Sequence, residues 1–532
     1  MLAQKKLATN YTNCTNWIWL VVAMAAGVLV SSCSTKPTDV RTVVPGDALV
    51  YLETQDLGKA LQAVTDNDAF RAAAKSQPDF SALNGIKVGV AVTGFETKEE
   101  KVSDENSVLN FQPRFVAVAE TNAWNYQAIK FAENKLGEFV NDIYGGGVEL
   151  ERFPRYEGDY FIWTADDGRK AYGLVIGRLI FFGNDETALE KCVAVRKGEA
   201  ESIAKNSKLP SGELLASGYV STDGVAQISN IATIQLAVGA GEEEEVRGFI
   251  ARVLPEILRK SINEVTWTAK KTEQGIEDEF YLRTNAEVAN VLKETVRSGS
   301  GSFEVADFVP GDVVSATRYD LTDPQIAWRS ILLTAQKQTD GVGGAVIGAV
   351  AEGLFEPYGV DVPEEFLGSI SGQILTLRFD PEGEDVVVVT TTKDVARLKK
   401  SLAKEFKLGA APEKVSGADL WRSEEGELAF AVIGDRVLLG HAESVLKCLN
   451  SAGQASQLLE ELKAPVSAAS VTLASDTDPN AAIVAVLGQR VDDKTPLTQR
   501  SRVSTSFNGN GIQRTEVSQF GMIGSIIEQF GK

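Results

Sequence analysis

The only histidine in the 532-residue chain, His441, limits the chemistry that its side chains can perform. A Ser-His-Asp or Cys-His mechanism would have to use this imidazole, and so would any metal site with a histidine ligand. His441 directly follows Gly440 at the predicted start of a helix, where a polar side chain commonly caps the first turn. We therefore expect a helix-start role for His441 and assign no catalytic residue, no cofactor-binding residue, no metal ligand and no cofactor.

Paired carboxylates are the remaining route to acid–base chemistry, because 73 acidic residues offer many combinations. The best placed are Asp320 with Asp323, after a predicted strand, and Asp476 with Asp478, in a corresponding later segment. Aspartate at such positions ordinarily caps a helix or forms a turn, so a structural role is expected for all four. The sequence contains no nucleophile elbow, phosphate-binding loop, zinc-protease helix, Cys-x-x-Cys pair or calcium loop.

Cys33 closes a distinctive N-terminal region. Lys5 and Lys6 give it a positive start, and an uncharged apolar stretch of 14 residues, Trp17 to Val30, leads into Ser31-Ser32-Cys33. This order resembles the bacterial lipoprotein signal, in which an apolar residue, two small residues and a cysteine form the lipobox. The resemblance implies that residues 1–32 are a signal peptide and that Cys33 becomes a lipidated N-terminus on a membrane.

Two alternatives to lipidation stay open for this region. A plain secretory signal cut near Ser32 would need no cysteine. A retained transmembrane helix would make Cys33 incidental, although 14 apolar residues are fewer than the roughly 20 needed to span a bilayer. The expected location is extracytoplasmic, with the protein anchored in the cell envelope. Ser34 after the cysteine mildly favours the periplasmic face of an outer membrane.

Two further cysteines, Cys192 and Cys448, follow lysines at matching points of two similar segments. Each belongs to an i, i+3, i+4 apolar pattern, which predicts a thiol on the buried face of a helix. A disulfide between them would require the two helices to meet, and this stays a less favoured alternative.

Recurring landmarks predict an internal duplication. Val44-Pro45-Gly46-Asp47 returns as Val309-Pro310-Gly311-Asp312, and Ile176-Gly177 with Gly183 returns as Ile433-Gly434 with Gly440. Lys191-Cys192 likewise returns as Lys447-Cys448. Short landmarks in the same order over such a distance indicate two related units.

The landmarks divide the chain into two pseudo-equivalent halves. A tether covers 33–42, the first half 43–297 and the second half 307–532, with a Gly/Ser linker at 298–306. Each half combines a long unit, 44–200 or 309–452, with a short unit, 212–297 or 464–532. Hairpins alternate with helices in both, which predicts an α+β fold of mostly antiparallel sheets with packed helices. Residues 96–114 are predicted to form a long polar loop in the first half, either a decoration or a contact surface.

The net charge of the chain restricts the kinds of partner that it can bind. The chain carries a formal net charge of -20, which becomes -22 once Lys5 and Lys6 leave with the signal. A surface of this sign repels phosphate backbones, so no nucleic-acid partner is expected. The acidic run Glu242 to Glu245 is predicted to start a helix, and a cation or partner patch is the alternative.

A wider resemblance rests on Pro-Gly-Asp before an apolar strand and Asp-Leu opening a helix. It also includes the segment Tyr358 to Pro363, which runs into Phe366-Leu367-Gly368. Together these resemble a family of bacterial extracytoplasmic proteins of unknown function. The resemblance implies an exported α+β repeat protein and supplies no catalytic residues.

These observations favour a non-enzymatic lipoprotein that binds or organises another component of the cell envelope, an unknown protein or ligand. Two alternatives stay open. One is a carboxylate-dependent envelope hydrolase. The other is a chaperone or protease-inhibitor role, first indicated by an exposed apolar patch or a protruding 96–114 segment.

Overall fold

The structure is a computed structural model that describes thirteen stretches of the chain. They are residues 38–74, 76–101, 107–239, 253–297, 305–337, 347, 351, 353–380, 384–451, 461–473, 483–484, 486–487 and 500–531. Cys33, the run Glu242 to Glu245, the linker core 298–302 and the pair Asp476 with Asp478 lie outside these ranges.

All strands of the described chain belong to one antiparallel sheet of 20 strands. The first ten are β1 Val50–Thr54, β2 Lys87–Lys101, β3 Ser107–Glu120, β4 Glu149–Arg155, β5 Gly158–Thr164, β6 Lys170–Ile176, β7 Leu179–Gly183, β8 Ala216–Val220, β9 Ile262–Thr272 and β10 Gly275–Thr284. The second ten are β11 Ser315–Asp320, β12 Ile370–Arg378, β13 Val386–Thr392, β14 Glu413–Val415, β15 Ala418–Arg422, β16 Leu428–Ile433, β17 Arg436–His441, β18 Ala468–Thr472, β19 Ser501–Asn508 and β20 Gly511–Ser518.

Helices cover both faces of the sheet. Those of the first half are α1 Leu57–Thr65, α2 Asp68–Ala73, α3 Asn125–Phe131, α4 Gly137–Tyr144, α5 Glu186–Arg196, α6 Thr222–Gly239, α7 Leu254–Ser261 and α8 Ala286–Thr295. Those of the second half are α9 Pro324–Lys337, α10 Pro363–Ser369, α11 Val395–Ser401, α12 Ala442–Asn450 and α13 Gly521–Gly531. The predicted α+β class with antiparallel strands and packed helices is thus confirmed.

The two halves meet where β10 pairs with β20, from Ile276 opposite Ser518 to Arg283 opposite Gly511. Outward from this pair, the first half runs β10, β9, β8, β1, β2, β3, β7, β6, β5, β4. The second runs β20, β19, β18, β11, β12, β13, β17, β16, β15, β14. When the ten strands of each half are numbered from its own first strand, the two halves have the same strand order in the sheet. Descent of the halves from one duplicated unit nevertheless stays a prediction.

Residues 96–114, predicted to form a polar loop, are instead mostly strand. β2 and β3 pair with each other from Gly94 opposite Arg114 out to Lys101 opposite Ser107. The neighbouring strands end earlier. β1 pairs with β2 only as far as Val92, and β7 pairs with β3 only as far as Val116. The result is a two-stranded ribbon that extends beyond the sheet.

Three further elements differ from the sequence prediction. The sequence pattern predicts one helix over Leu57 to Ala74, but the structure has two, because Asn67 caps a new helix by accepting a hydrogen bond from the Phe70 N–H at 2.8 Å. The sequence pattern also predicts a helix over Trp124 to Leu136, and this helix continues through a wide turn into α4. β4 was missed, because it is an edge strand with exposed charges and Pro154 rather than an alternating apolar pattern.

Four apolar clusters form the core. One face of the first half packs α1 to α4 against the sheet, and the other face packs α5, while the second half has a cluster on each face as well. The first cluster also contains Phe520, just before α13, and Ile523 and Ile527 from α13 itself. The C-terminal helix of the second half therefore completes a core of the first.

Candidate functional site

Within each half, two landmarks of the predicted duplication lie next to each other in space, namely the aspartate of Pro-Gly-Asp and the lysine before the cysteine. Asp47 accepts a hydrogen bond from Lys191 Nζ at 2.6 Å, and Asp312 lies 3.6 Å from Lys447 Nζ. Each lysine precedes one of the two cysteines. The Pro-Gly-Asp and Lys-Cys landmarks are thus two ends of one surface ion pair, present in both halves, which links the helix to the loop before the first strand of each half.

Cys192 and Cys448 are free and buried, as their helical pattern predicts. Burial raises the pKa of both thiols, and the carboxylates of Asp47 and Asp312 raise it further. The thiolate is the nucleophilic form of cysteine, so neither sulfur is prepared for covalent chemistry.

His441 ends β17 and occupies the N-cap position of α12, as expected, although its side chain makes no capping hydrogen bond there. Its Nδ1 atom is buried without a hydrogen-bond partner. The nearby Ser444 hydroxyl donates to Asp385 Oδ2 at 2.7 Å. No described contact joins the imidazole to a nucleophile.

Asp320 and Asp323 have different structural roles. Asp320 is 1% exposed, and its Oδ2 lies 2.7 Å from Arg318 Nε, while Gln373 donates to its Oδ1 at 3.2 Å. Arg318 also donates to three backbone carbonyls, those of Leu462, Ala464 and Val466. Asp323 caps α9 through the Ile326 N–H. Asp323 is the helix cap that its position predicts, whereas Asp320 ends β11 in a buried ion pair rather than in a turn or a cap.

A second buried charge cluster surrounds Glu53, at the end of β1. Its carboxylate pairs with the Arg41 guanidinium and accepts hydrogen bonds from the hydroxyls of Tyr51, at 2.9 Å, and Ser217, at 3.0 Å. Burial alone raises the pKa of Glu53, but the hydrogen bonds and positive charge of Arg41 outweigh it and hold the pKa below its usual value. Burial beside this carboxylate raises the pKa of Tyr51.

An open cleft of about 350 Å³ lies over this cluster and is lined by Asp39, Arg41, Lys87, Pro210 and Leu214 among others. Its charges neutralise one another, since Arg41 pairs with Glu53 and Lys87 Nζ lies 3.6 Å from Glu120. A carboxylate kept ionised by an arginine is a poor proton acceptor at neutral pH. The cleft is therefore better suited to holding the chain's N-terminal segment than to acid–base catalysis.

A groove of about 430 Å³ crosses strands β11, β18, β19 and β20 on the sheet face that α1 and α13 cover in the first half. We call it the hydroxyl groove. Its polar side chains are those of Thr317, Tyr319, Ser470, Thr472, Ser501, Thr505, Arg514 and Glu516.

The hydroxyl groove differs from the same face of the first half. There β1, β8 and β9 present Leu52, Gly218 and Trp267, and the helix-covered core packs on them. In the groove the Thr317 and Ser470 hydroxyls lie 2.9 Å apart, and Tyr319 is 43% exposed. Among the described residues, the second half thus leaves open, and lines with hydroxyls, a surface that the first half buries.

Sequence reasoning missed both the Glu53 cluster and the hydroxyl groove. Glu53 was read only as the last residue of a strand, and its pairing with Arg41 depends on how the N-terminal segment folds back. The groove joins β11 to β18, β19 and β20, which follow it in sequence by about 150 residues or more. The Ser and Thr content of β18 and β19 was the one available signal.

No group of three or more His, Cys, Asp or Glu side chains in the described ranges could hold a metal ion. Within the same ranges, no helix is long and apolar enough to cross a membrane.

No protein family model, curated protein or solved structure matches this chain. The resemblance to an extracytoplasmic family therefore stays a prediction, and the function is argued from this chain alone.

Proposed function

We propose that the protein is a lipoprotein of the cell envelope, anchored through Cys33, that binds another envelope protein in its hydroxyl groove. The anchor is supported by the lipobox-like order of Val30-Ser31-Ser32-Cys33 after a short apolar stretch. The open hydroxyl groove is the observation that carries the binding role.

The groove suits a polar partner that both donates and accepts hydrogen bonds. Each Ser or Thr hydroxyl can do either, so the surface matches exposed backbone and amide groups. Arg514 Nη2 and Glu516 Oε2, 3.2 Å apart, add one charge of each sign. An exposed tyrosine such as Tyr319 supplies the rigid apolar contact common in protein interfaces.

Binding is favoured over hydrolysis because the buried carboxylates at the two charge clusters are already engaged. Glu53 is held by Arg41, and Asp320 by Arg318. A general acid or base needs a pKa near the working pH and access to substrate. The pKa of Glu53 is lowered instead, and Asp320 is 1% exposed.

Site-specific photocrosslinking in intact cells tests the binding role. A benzoylphenylalanine placed at Thr505 points into the groove, whereas one at Ser504, the next residue of β19, points to the opposite face. We expect a discrete crosslinked protein from position 505 and not from position 504. Equal crosslinking from both positions, or none from position 505, would contradict the groove as the binding surface.

The anchor is tested separately by mass spectrometry of the mature N-terminal peptide. We expect an acylated Cys33 and no residues 1–32. An unmodified Cys33, or an intact N-terminal segment, would remove the anchor from the proposal without affecting the groove.

A further inference from the structure

The N-terminal segment leaves the fold at one defined end of the sheet. The Thr38 N–H donates to Glu120 Oε1, and Lys87 Nζ donates to the Thr38 carbonyl at 3.5 Å. Lys87 begins β2, and Glu120 ends the neighbouring β3. Thr38 is thus fixed at the end of the sheet opposite the β2–β3 ribbon.

The chain between the predicted lipid and this point is short. Thr38 is the fifth residue after Cys33, and a fully extended chain spans at most about 3.5 Å per residue. If Cys33 carries the lipid, Thr38 can lie no more than about 17 Å from it. This argument rests on the proposed lipid anchor, which brings this end of the sheet to the bilayer.

The same end carries two exposed aromatic side chains. Trp124 is 53% exposed and Tyr126 is 60% exposed, only four and six residues beyond Glu120. The Trp124 N–H donates to Gln127 Oε1 at 2.9 Å, and the buried Ala128 fixes the helix that follows. Both rings are therefore held outward by an ordered backbone.

Trp124 differs from the other tryptophans of the described chain. Trp163, Trp267 and Trp421 are buried, and Trp328 is half-buried against Phe355. An exposed tryptophan beside a tyrosine is the pair of side chains that favours the polar boundary of a bilayer. Lys130, one turn beyond Tyr126, is also exposed and can reach lipid phosphates.

We infer that Trp124 and Tyr126 insert into the interfacial layer of the membrane on which Cys33 is anchored. The lipid then provides the attachment, and the two aromatic rings orient the first half against the bilayer. Insertion of aromatic rings also suits a mature body with a net charge of -22, which anionic lipids would not attract by charge.

The experiment uses the full lipidated protein in vesicles of phosphatidylethanolamine and phosphatidylglycerol at a ratio of about 3:1, with or without brominated acyl chains. Bromine quenches tryptophan fluorescence only at short range. The Trp124→Phe variant is compared with wild type, and Trp328→Phe is the matched control, because it removes a tryptophan far along the chain from Thr38.

We expect brominated lipid to quench part of the wild-type emission, Trp124→Phe to lose that quenching and Trp328→Phe to retain it. Shallow bromine positions should quench more than deep ones. Equal quenching of Trp124→Phe and wild type, or no quenching of a vesicle-bound wild type, would overturn the inference.

Flotation of the same vesicles with a Cys33→Ala variant that begins at residue 33, and therefore lacks the apolar stretch Trp17 to Val30, separates this inference from the anchor itself. If Cys33→Ala no longer floats and brominated lipid quenches the wild type, both the lipid anchor and the interfacial insertion are supported. Flotation of wild type and variant alike shows that the anchor proposal has failed, whereas flotation that depends on Cys33 without Trp124 quenching shows that only the interfacial insertion has failed.

Discussion

At the scale of single residues, the Glu53 cluster and the buried pair of Arg318 with Asp320 occupy comparable places in the two halves. Both lie near the end of the first strand of a half, β1 or β11, and both bury an arginine–carboxylate pair. In each pair an arginine donates to backbone carbonyls as well, that of Pro210 for Arg41 and three for Arg318. Such pairs fix the connecting segments that run past them, and this explains why neither carboxylate is available for chemistry.

Arg41→Met is expected to destabilise the protein by roughly 3–5 kcal/mol, because Glu53 would remain buried without its cation. Chemical denaturation measures the loss, and adding Glu53→Gln to Arg41→Met should recover part of it. Arg71→Met is the control, since its pairs with Asp66 and Asp68 are on the surface and are expected to contribute at most about 1 kcal/mol. Equal losses from both single variants would contradict the buried-pair account.

Asp278 predicts a pH dependence of stability. It is 2% exposed, accepts from Trp267 Nε1 and the Met522 N–H, each at 2.7 Å, and burial raises its pKa to about 6. Since the folded state holds this proton more tightly than the unfolded one, its contribution to stability is present near pH 4 and is lost as the pH rises through 6.

The measurement is the unfolding free energy of wild type minus that of Asp278→Asn, from pH 4 to pH 7. We expect this difference to fall by up to about 3 kcal/mol, from a pKa change of about two units at 1.36 kcal/mol each. If this difference in unfolding free energy stays constant or rises with pH, ionisation of Asp278 does not destabilise the folded state.

At the scale of elements, two glycines mark matching points of β7 and β17. A Cβ on Gly183 would lie 2.3 Å from the Phe115 carbonyl oxygen, and one on Gly440 would lie 2.1 Å from that of Val386. The spacing between neighbouring strands leaves no room for either. Gly183 and Gly440, two landmark glycines of the predicted duplication, are thus explained by the close approach of one backbone to another.

Gly183→Ala and Gly440→Ala are each expected to cost roughly 1–3 kcal/mol, because a strand must shift to admit the methyl group. Gly311→Ala is the matched control, since no atom lies within 4 Å of its Cβ position. Its stability should stay within about 0.5 kcal/mol of wild type. Thermal or urea denaturation of the three variants checks the comparison.

Much of this element structure could be predicted from sequence, because local patterns decide it. The sequence Asn508-Gly509-Asn510-Gly511 is typical of a tight turn and predicts the hairpin of β19 and β20, and the apolar patterns around Cys192 and Cys448 predict α5 and α12. The ribbon could not be predicted in this way, because the sequence of its outer pairs shows no apolar alternation. The Glu53 cluster and the hydroxyl groove depend on strand neighbours distant in sequence, which no local pattern specifies.

At the scale of the whole molecule, one sheet and one shared core join the two halves. α13 of the second half packs in the first half's core, and β10 pairs with β20 along its length. The sequence prediction of two successive halves gave no sign of this exchange. The halves are consequently expected to act as one cooperative unit.

Expression of residues 43–297 alone tests this dependence. The fragment would lack Phe520, Ile523 and Ile527 and expose the edge of β10, so we expect poor solubility and binding of a hydrophobic dye. Co-expression with residues 307–532 should restore a soluble complex. A fragment that unfolds cooperatively with the stability of the full chain would contradict the shared core.

The two ends of the sheet have a consequence for self-association. A long antiparallel sheet with unpaired outer strands could add further copies end to end and grow into a filament. β4, at one end, carries exposed charges and Pro154, which cannot donate a backbone hydrogen bond to a new strand. β14, at the other end, is only three residues long. Both terminal strands of the described sheet are therefore poor templates for the addition of a further strand.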